Sequence, residues 1–247
     1  YVNDAFGTAH RAHASTATVA KFFEPGQKTL GFLIEKELTE ADQLLKNPEK
    51  PFTAIIGGAK VSDKIELLKK LIGQVDHLLI GGGMAYTFIK SRGGSIGSSL
   101  CEKDKLDLAL QLLQEAEQQG TRIHLPEDSV LADDFKEDAK SRLSPSNEIP
   151  EGWMGLDIGP KARKEYREII LKSKTLFWNG PMGVFEFDAF SEGTKSIAQA
   201  VADATDKGAY SSIGGGDSVA AIHKFGMAEK VSFMSTGGGA MLKLLEG

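Results

Sequence analysis

Five apolar runs along the chain end in glycine. Phe52–Ile56 runs into Gly57-Gly58, His77–Ile80 into Gly81-Gly82-Gly83, and Thr175–Asn179 into Gly180-Pro181-Met182-Gly183. Ala209–Ile213 runs into Gly214-Gly215-Gly216, and Val231–Thr236 into Gly237-Gly238-Gly239. Each run has the length and the β-branched or aromatic content of a buried strand. Arg122–Leu125 reads as a further strand. After four of the five clusters the pattern switches at once to helical period, as with Val61, Ile65, Leu68 and Leu71, or Ala85, Phe88 and Ile89. After the third, Val184–Phe187 intervenes before a helix that starts near Phe190. Helices are also predicted over Lys103–Gln119, over Pro160–Lys172 and from Ala240 onward.

Strand, glycine turn and helix, repeated, predict an α/β fold: a doubly wound, Rossmann-like parallel sheet with helices on both faces. The strand starts are unevenly spaced, which excludes a short-period solenoid. In such sheets ligands bind outside the carboxyl ends of the strands. All five glycine clusters fall at those ends, so they are expected to line one rim. The polar, weakly periodic segment Ser129–Trp153 is expected to form short strands and loops on the periphery, without chemistry.

Composition narrows the class. Of 247 residues, 41% are hydrophobic and 26% charged, which excludes disorder over the whole length. A chain of this size holds one to two domains and a sizeable core. The longest stretch without Asp, Glu, Lys or Arg, His77–Ile89, is 13 residues long and contains three glycines, too short and too broken to span a bilayer. Cys101 is the only cysteine, so an internal disulfide and a Cys-rich zinc site are excluded. No basic stretch followed by an apolar core opens the chain, and it reads as cytoplasmic. A net charge of −5 argues against a general nucleic-acid binder. Any anionic ligand must be met by placed cations and backbone amides. Glycine stands out, with 28 residues against 8 prolines, and glycine without proline marks places that need positive φ or close approach. The chain opens on Tyr1 and its last helix would end within two turns, so the native protein is expected to continue past both ends.

Lys60 and Lys64 lie four residues apart in Gly57-Gly58-Ala59-Lys60-Val61-Ser62-Asp63-Lys64. On a helix they share one face, in a first turn where the macrodipole disfavours cations. An anion at the helix N-terminus would justify them; two solvated lysines screened by Asp63 and Glu66 is the alternative. Asp217, in Gly214-Gly215-Gly216-Asp217-Ser218, is either an ordinary N-cap or a carboxylate holding Mg²⁺ beside phosphates. Gly237-Gly238-Gly239 offers amides to a ligand or makes a tight turn. Arg11 is a candidate anion contact, with a plain surface arginine as the alternative. Glu186 is a ribose acceptor or a solvated strand-edge residue. A Walker A loop is absent, the dinucleotide fingerprint fails because Tyr86 occupies its third glycine position, and no Gly-x-Ser-x-Gly elbow occurs.

Five motifs taken in order resemble phosphoglycerate kinase. They are Val2–His13 (VNDAFGTAHRAH), Gly57–Lys64 (GGAKVSDK), Trp178–Glu186 (WNGPMGVFE), Gly214–Ser218 (GGGDS) and Ser235–Gly239 (STGGG). The resemblance covers essentially the whole chain. It implies a two-lobed glycolytic enzyme with one lobe for 3-phosphoglycerate or 1,3-bisphosphoglycerate and another for Mg-ADP or Mg-ATP. By this resemblance residues 24–247 are the nucleotide lobe, opened by a hinge helix over Gln27–Glu40, and residues 1–23 are the tail of the substrate lobe. The rest of the substrate lobe is not matched, so this chain alone is expected to be inactive.

The resemblance implies catalytic roles for Lys60, beside the transferred phosphoryl group, and for the backbone donors Gly237 and Gly238. It implies nucleotide contacts for Gly58, Lys64, Gly82, Gly83, Asn179, Glu186, Gly215, Gly216, Asp217 and Ser218. Asp217 is the implied Mg²⁺ ligand and Arg11 the implied substrate contact. Ser218 stands where the family commonly has threonine. The implied partners are these small molecules, with no nucleic acid and no membrane, and the implied assembly is a monomer. Two other readings stay open, a Rossmann dehydrogenase and a non-catalytic nucleotide-binding module. A thermal-shift comparison of Mg-ADP, Mg-ATP and NAD separates the first from the kinase reading.

Overall fold

The computed structural model describes residues 1–46 and 48–247. Six parallel strands form its centre: β1 (Phe52–Ile56), β2 (His77–Ile80), β3 (Arg122–His124), β4 (Thr175–Asn179), β5 (Tyr210–Gly214) and β6 (Phe233–Met234). Their spatial order is β6-β5-β4-β1-β2-β3. The chain lays strands outward from β1 to β3, then returns beside β1 and lays the other half. That is the order of a doubly wound sheet, and its reversal falls between β1 and β4.

The helices are α1 (Phe32–Lys46), α2 (Ile65–Leu71), α3 (Met84–Ser91), α4 (Leu106–Gln118), α5 (Pro160–Ile170), α6 (Glu192–Asp206), α7 (Gly216–Lys224) and α8 (Gly239–Glu246). Alternation along the strands decides where they pack. Phe52, Ala54 and Ile56 of β1 join a core with α1, α2, α3, α4 and α8. Ile55 joins Leu176 and Trp178 in a second core with α5, α6 and α7. Both faces are covered, as an all-parallel sheet requires. Among the described residues no helix is long and apolar enough to cross a membrane.

Four expectations need correction. The helix expected over Gln27–Glu40 is α1, Phe32–Lys46. Thr29 and Leu30 instead pair with Val2 and Asn3 in a short parallel ladder, and the Asp4 carboxylate accepts the Ile34 N–H at 2.9 Å. That carboxylate caps the helix from outside and sets its start after Gly31. Gly31 is required there because a Cβ would run into Asp4.

The last strand is Phe233–Met234, shorter than the run Val231–Thr236: before it Ser232 and Ser211 exchange backbone-to-hydroxyl bonds, and after it the Thr236 N–H and hydroxyl turn to Glu37 of α1. Lys60 precedes helical structure: a tight turn over Ser62–Lys64 comes first, and α2 begins at Ile65. The two lysines therefore do not share a helix face. Finally, the segment expected at the periphery belongs in part to the interior. Asp128–Ala132, Ser141–Pro145 and Met154–Ile158 form an antiparallel sheet, and only the outer Ser141–Pro145 strand is exposed along its length. The polar residues that disguised the buried strands are paired. Ser129 accepts the Tyr86 hydroxyl at 2.9 Å, and Asp128 accepts the Ala162 N–H at the start of α5 at 2.9 Å.

Candidate functional site

Parallel strands end on the same edge, and the register makes that edge level. Asn179 of β4 is flanked by Ile56 of β1 and Gly214 of β5, and Ile56 in turn by Ile80 of β2. The glycine turns beyond these residues are knitted together by backbone. Gly58 N–H donates to Pro181 O at 3.1 Å, Gly82 N–H to Met182 O at 3.0 Å, and Met84 N–H to Gly58 O at 3.1 Å. Side chains would block this meeting. A Cβ at Gly57 would strike Pro181 O, and one at Gly82, whose φ is +67°, would strike the Gly58 backbone.

Above these turns lies a cavity of about 500 Å³ lined by Gly58, Gly82, Gly83, Leu100, Phe135, Leu156, Pro181, Glu186 and Asp217, among others. Its floor is bare glycine backbone and its sides are mostly apolar, a form suited to a flat ring system. Five residues singled out from the sequence, Gly58, Gly82, Gly83, Glu186 and Asp217, meet here. The Phe135 ring also contacts Phe187, with centroids 5.4 Å apart. Phe135, in the segment expected to carry no chemistry, is thus part of the wall.

Next to the cavity the Lys64 ammonium donates to Asn179 Oδ1. Asn179 in turn donates through Nδ2 to Gly214 O at 2.8 Å. Burial lowers the Lys64 pKa, while Asp63, Asp217 and Glu246 pull it back up. A lysine so placed gains from a polyanion that supplies the missing countercharge. Asp217 is exposed in the first turn of α7. Gly215 precedes it at φ +88° and approaches Asn179 so closely that a Cβ would touch its amide nitrogen. Gly216 has open space around it. Ser218 is fully buried, and its Oγ accepts the Gly180 N–H at 2.6 Å, so its hydroxyl oxygen secures the β4 turn.

Lys60 is exposed and does not line the cavity. Gly237, Gly238 and Arg11 do not line it either, but they lie together at the neighbouring β6 end. Phe6 packs on Gly237, His10 lies beside Gly239, and Arg11 Nε donates to His10 Nε2 at 3.3 Å. Gly238, at φ +48°, immediately precedes α8. Behind this loop sits a residue that the sequence reading passed over. Glu37 is wholly buried, and its carboxylate accepts Ser235 Oγ at 2.8 Å and both Thr236 N–H and Thr236 Oγ1 at 2.7 Å. The signal was present, because Ile34, Glu37, Ala41 and Leu44 are the buried stripe of α1 and one of them is an acid.

The donor set decides which kind of Mg²⁺ site fits this rim. Among the described residues no group of three His, Cys, Asp or Glu side chains could hold a metal. Among those residues an all-protein metal cage is therefore not built. Asp217, an exposed carboxylate on the rim, fits the other way of holding Mg²⁺, one protein oxygen with phosphate oxygens completing the shell.

The fold and rim define a doubly wound α/β protein whose glycine turns and Lys64–Asn179 pair converge at the strand-order reversal. Comparison with known proteins makes the class specific. The phosphoglycerate kinase family model matches residues 1–247. The chain is 53% identical to phosphoglycerate kinase of Porphyromonas gingivalis and 56% identical to the cytosolic phosphoglycerate kinase of Nicotiana tabacum, in each case over its full length. It spans 59% and 61% of those relatives. The phosphoglycerate kinase structure from Coxiella burnetii superposes with a TM-score of 0.93 at 45% identity, covering the whole chain and 62% of that structure. That from Pyrococcus horikoshii gives 0.83 at 32% identity, again over the whole chain and over 60% of that structure. The chain belongs to the phosphoglycerate kinase family.

Proposed function

We propose that this chain is the nucleotide-binding half of a phosphoglycerate kinase. The whole protein would transfer a phosphoryl group reversibly between 1,3-bisphosphoglycerate and Mg-ADP, giving 3-phosphoglycerate and Mg-ATP. One observation carries the reading: the glycine-floored cavity opens beside Lys64, Asn179 and Asp217 at the carboxyl edge. The adenine would lie on Gly58, Gly82 and Gly83, with Glu186 at the ribose. The phosphates would run toward Lys64, Asn179 and the amides of Gly215, Gly216 and Ser218. Mg²⁺ would be held by Asp217, and when bound it supplies positive charge to the phosphate oxygens.

Phosphoryl transfer is chiefly positioning and charge neutralisation. Lys60, exposed and without an ion-pair or hydrogen-bond partner among the described residues, would follow the moving group. The amides of Gly237 and Gly238 would donate to its equatorial oxygens. Arg11, beside the same loop, would meet the acyl-phosphate substrate. The acceptor is a phosphate and the leaving group a carboxylate, so no strong general base is needed. Residues 1–23 would be the end of the substrate lobe and 24–247 the nucleotide lobe. The isolated chain would be monomeric and turn over 1,3-bisphosphoglycerate negligibly. The cytosolic plant relatives support a cytosolic location.

Thermal unfolding with Mg-ADP, Mg-ATP and NAD tests this. Both adenine nucleotides should raise Tm and NAD should not; the reverse order would favour a dehydrogenase. Turnover near that of a whole kinase would refute the division of labour. In a full-length enzyme carrying these residues, Lys60→Ala should lower kcat far more than nucleotide affinity, because that ammonium acts on the group in flight. Equal losses would reject separate roles for Lys60 and Lys64.

A further inference from the structure

One side of the cavity rests on a buried carboxylate that takes no part in the mechanism above. Strand Met154–Ile158 pairs with Asp128–Ala132, and the register slips between Gly155 and Asp157. This is a bulge at Leu156, and bulges re-aim the side chains beside them. Leu156 faces the cavity, and its carbonyl, freed from the ladder, accepts the Val184 N–H at 2.8 Å. Val184 is itself a cavity residue, between Gly183 and Glu186. Asp157 lies behind this junction, 2% exposed. One carboxylate oxygen accepts the Ile158 N–H at 2.9 Å, and the other accepts the Gly193 N–H in the first turn of α6 at 2.6 Å. Gly183 and Gly193 both abut the carboxylate so closely that a Cβ on either would overlap it. One acid thus joins the bulged strand, the loop after β4 and the start of α6.

From this geometry we infer that Asp157 is a positioning residue for the base end of the nucleotide pocket, holding the Gly183–Glu186 wall against Leu156. The inference rests on the nucleotide reading for its ligand, but the clamp itself does not. Burial pushes the Asp157 carboxyl up to about 7, opposed by the Gly193 and Ile158 N–H groups and by Arg163 of α5, with Glu192 of α6 adding to the rise. Tyr86 of α3 lies near enough for the Asp157 charge to raise its hydroxyl, which is held up chiefly by its own burial. A carboxylate kept in so enclosed a place, with each oxygen used once, accounts for two N–H groups that no neutral amide could satisfy together, because Asn offers one acceptor.

The test uses the whole 247-residue chain and its Asp157→Asn variant. Adenosine probes the base end and Mg-tripolyphosphate the phosphate end, with dissociation constants read by calorimetry. Loss of a charge-assisted bond should weaken adenosine about tenfold while tripolyphosphate changes less than about twofold. Amide exchange at Val184 should accelerate in the variant without ligand. In the wild type the Gly193 and Ile158 amide resonances should titrate with a midpoint at about 7, and in the variant they should not. A fall in Tm with adenosine affinity intact would mean that Asp157 is merely structural and would overturn the inference. So would equal weakening of both probes. Wild-type chain that binds neither probe would sink the nucleotide reading, while Val184 exchange would still judge the clamp. Should the variant not fold, unmoved Gly193 and Ile158 resonances when adenosine binds the wild type would overturn the inference.

Discussion

The sheet lobe and the first 31 residues are built on different terms. In the lobe, β1 and β4 are buried from end to end and apolar helices cover both faces. From Tyr1 to Gly31 a single hydrophobic side chain, Phe6, is buried, and it is buried against the lobe. Phe22 is 83% exposed, and Phe32, at the start of α1, 87%. The early segment keeps its shape through backbone turns, the ladder of Val2 and Asn3 with Thr29 and Leu30, and the stacked rings of Tyr1 and Phe23. It borrows stability from the lobe at two places, the Asp4 cap on α1 and the seat of Phe6 on Gly237. Local hydrogen bonds can shape a segment, but apolar burial is what makes a region resist unfolding.

The sharpest probe of that contrast is Trp178→Ala. The indole is wholly buried in β4 and its Nε1–H donates to Gly180 O at 2.7 Å. Truncation should cost about 3–5 kcal/mol, read from urea unfolding. It should also loosen the glycine turn that the indole holds. A loss below about 1 kcal/mol would mean that the second core is far less tightly packed than its burial indicates.

Glu37→Gln probes the seam between α1 and the glycine rim. Its carboxylate satisfies three donors on Ser235 and Thr236. An amide keeps one acceptor oxygen and turns an NH₂ toward donors, so the change should cost roughly 2 kcal/mol. Amide exchange at Thr236 and Gly237 should rise with it. Exchange that stays unchanged at both would show that the β6 turn stands without α1.

The effect of pH tests the edge of the lobe away from the switch point. His77 Nδ1 lies 3.0 Å from His124 Nε2, and His124 Nδ1 lies 2.8 Å from Glu165. Burial, then the neighbouring His124 and Arg122, lower the His77 pKa from its ordinary value of 6.5. The unfolded chain therefore binds more protons than the native one as pH falls below 6.5, and stability from this site falls with it. His77→Gln should flatten that part of the profile of Tm against pH. A slope identical to wild type would assign the acid sensitivity elsewhere.

Much of this architecture is legible in the residues, for a physical reason. Strand and helix periods are local, and glycine at the end of an apolar run marks backbone crowding, so the β1, β2, β4 and β5 turns could be found without coordinates. Strand order could not, because it depends on which distant runs pair. The limits of local reading show at Lys60 and at Leu156. Spacing alone put Lys60 on a helix face, but a tight turn intervenes. The Leu156 bulge and the Phe135 wall come from pairing across a polar hairpin whose outer strand masks the buried strands beside it. Glu37 shows a third case, a visible charge in an apolar stripe whose partners lie almost 200 residues away.

The smallest expected effect is the one that most directly separates the two regions. Phe22→Ser and Phe32→Ser remove large rings that already face water in this chain. Neither leaves a cavity, and neither strips a hydrogen bond. Surface changes of this kind usually stay within about 0.5 kcal/mol, so urea midpoints of both variants should match wild type. Phe32 lies in the first turn of α1, where serine and phenylalanine are about equal as helix formers, so the helix should hold. A loss above about 1 kcal/mol for either would mean that the early segment buries these rings in solution. The contrast between a packed lobe and a borrowed one would then fail at its most exposed point.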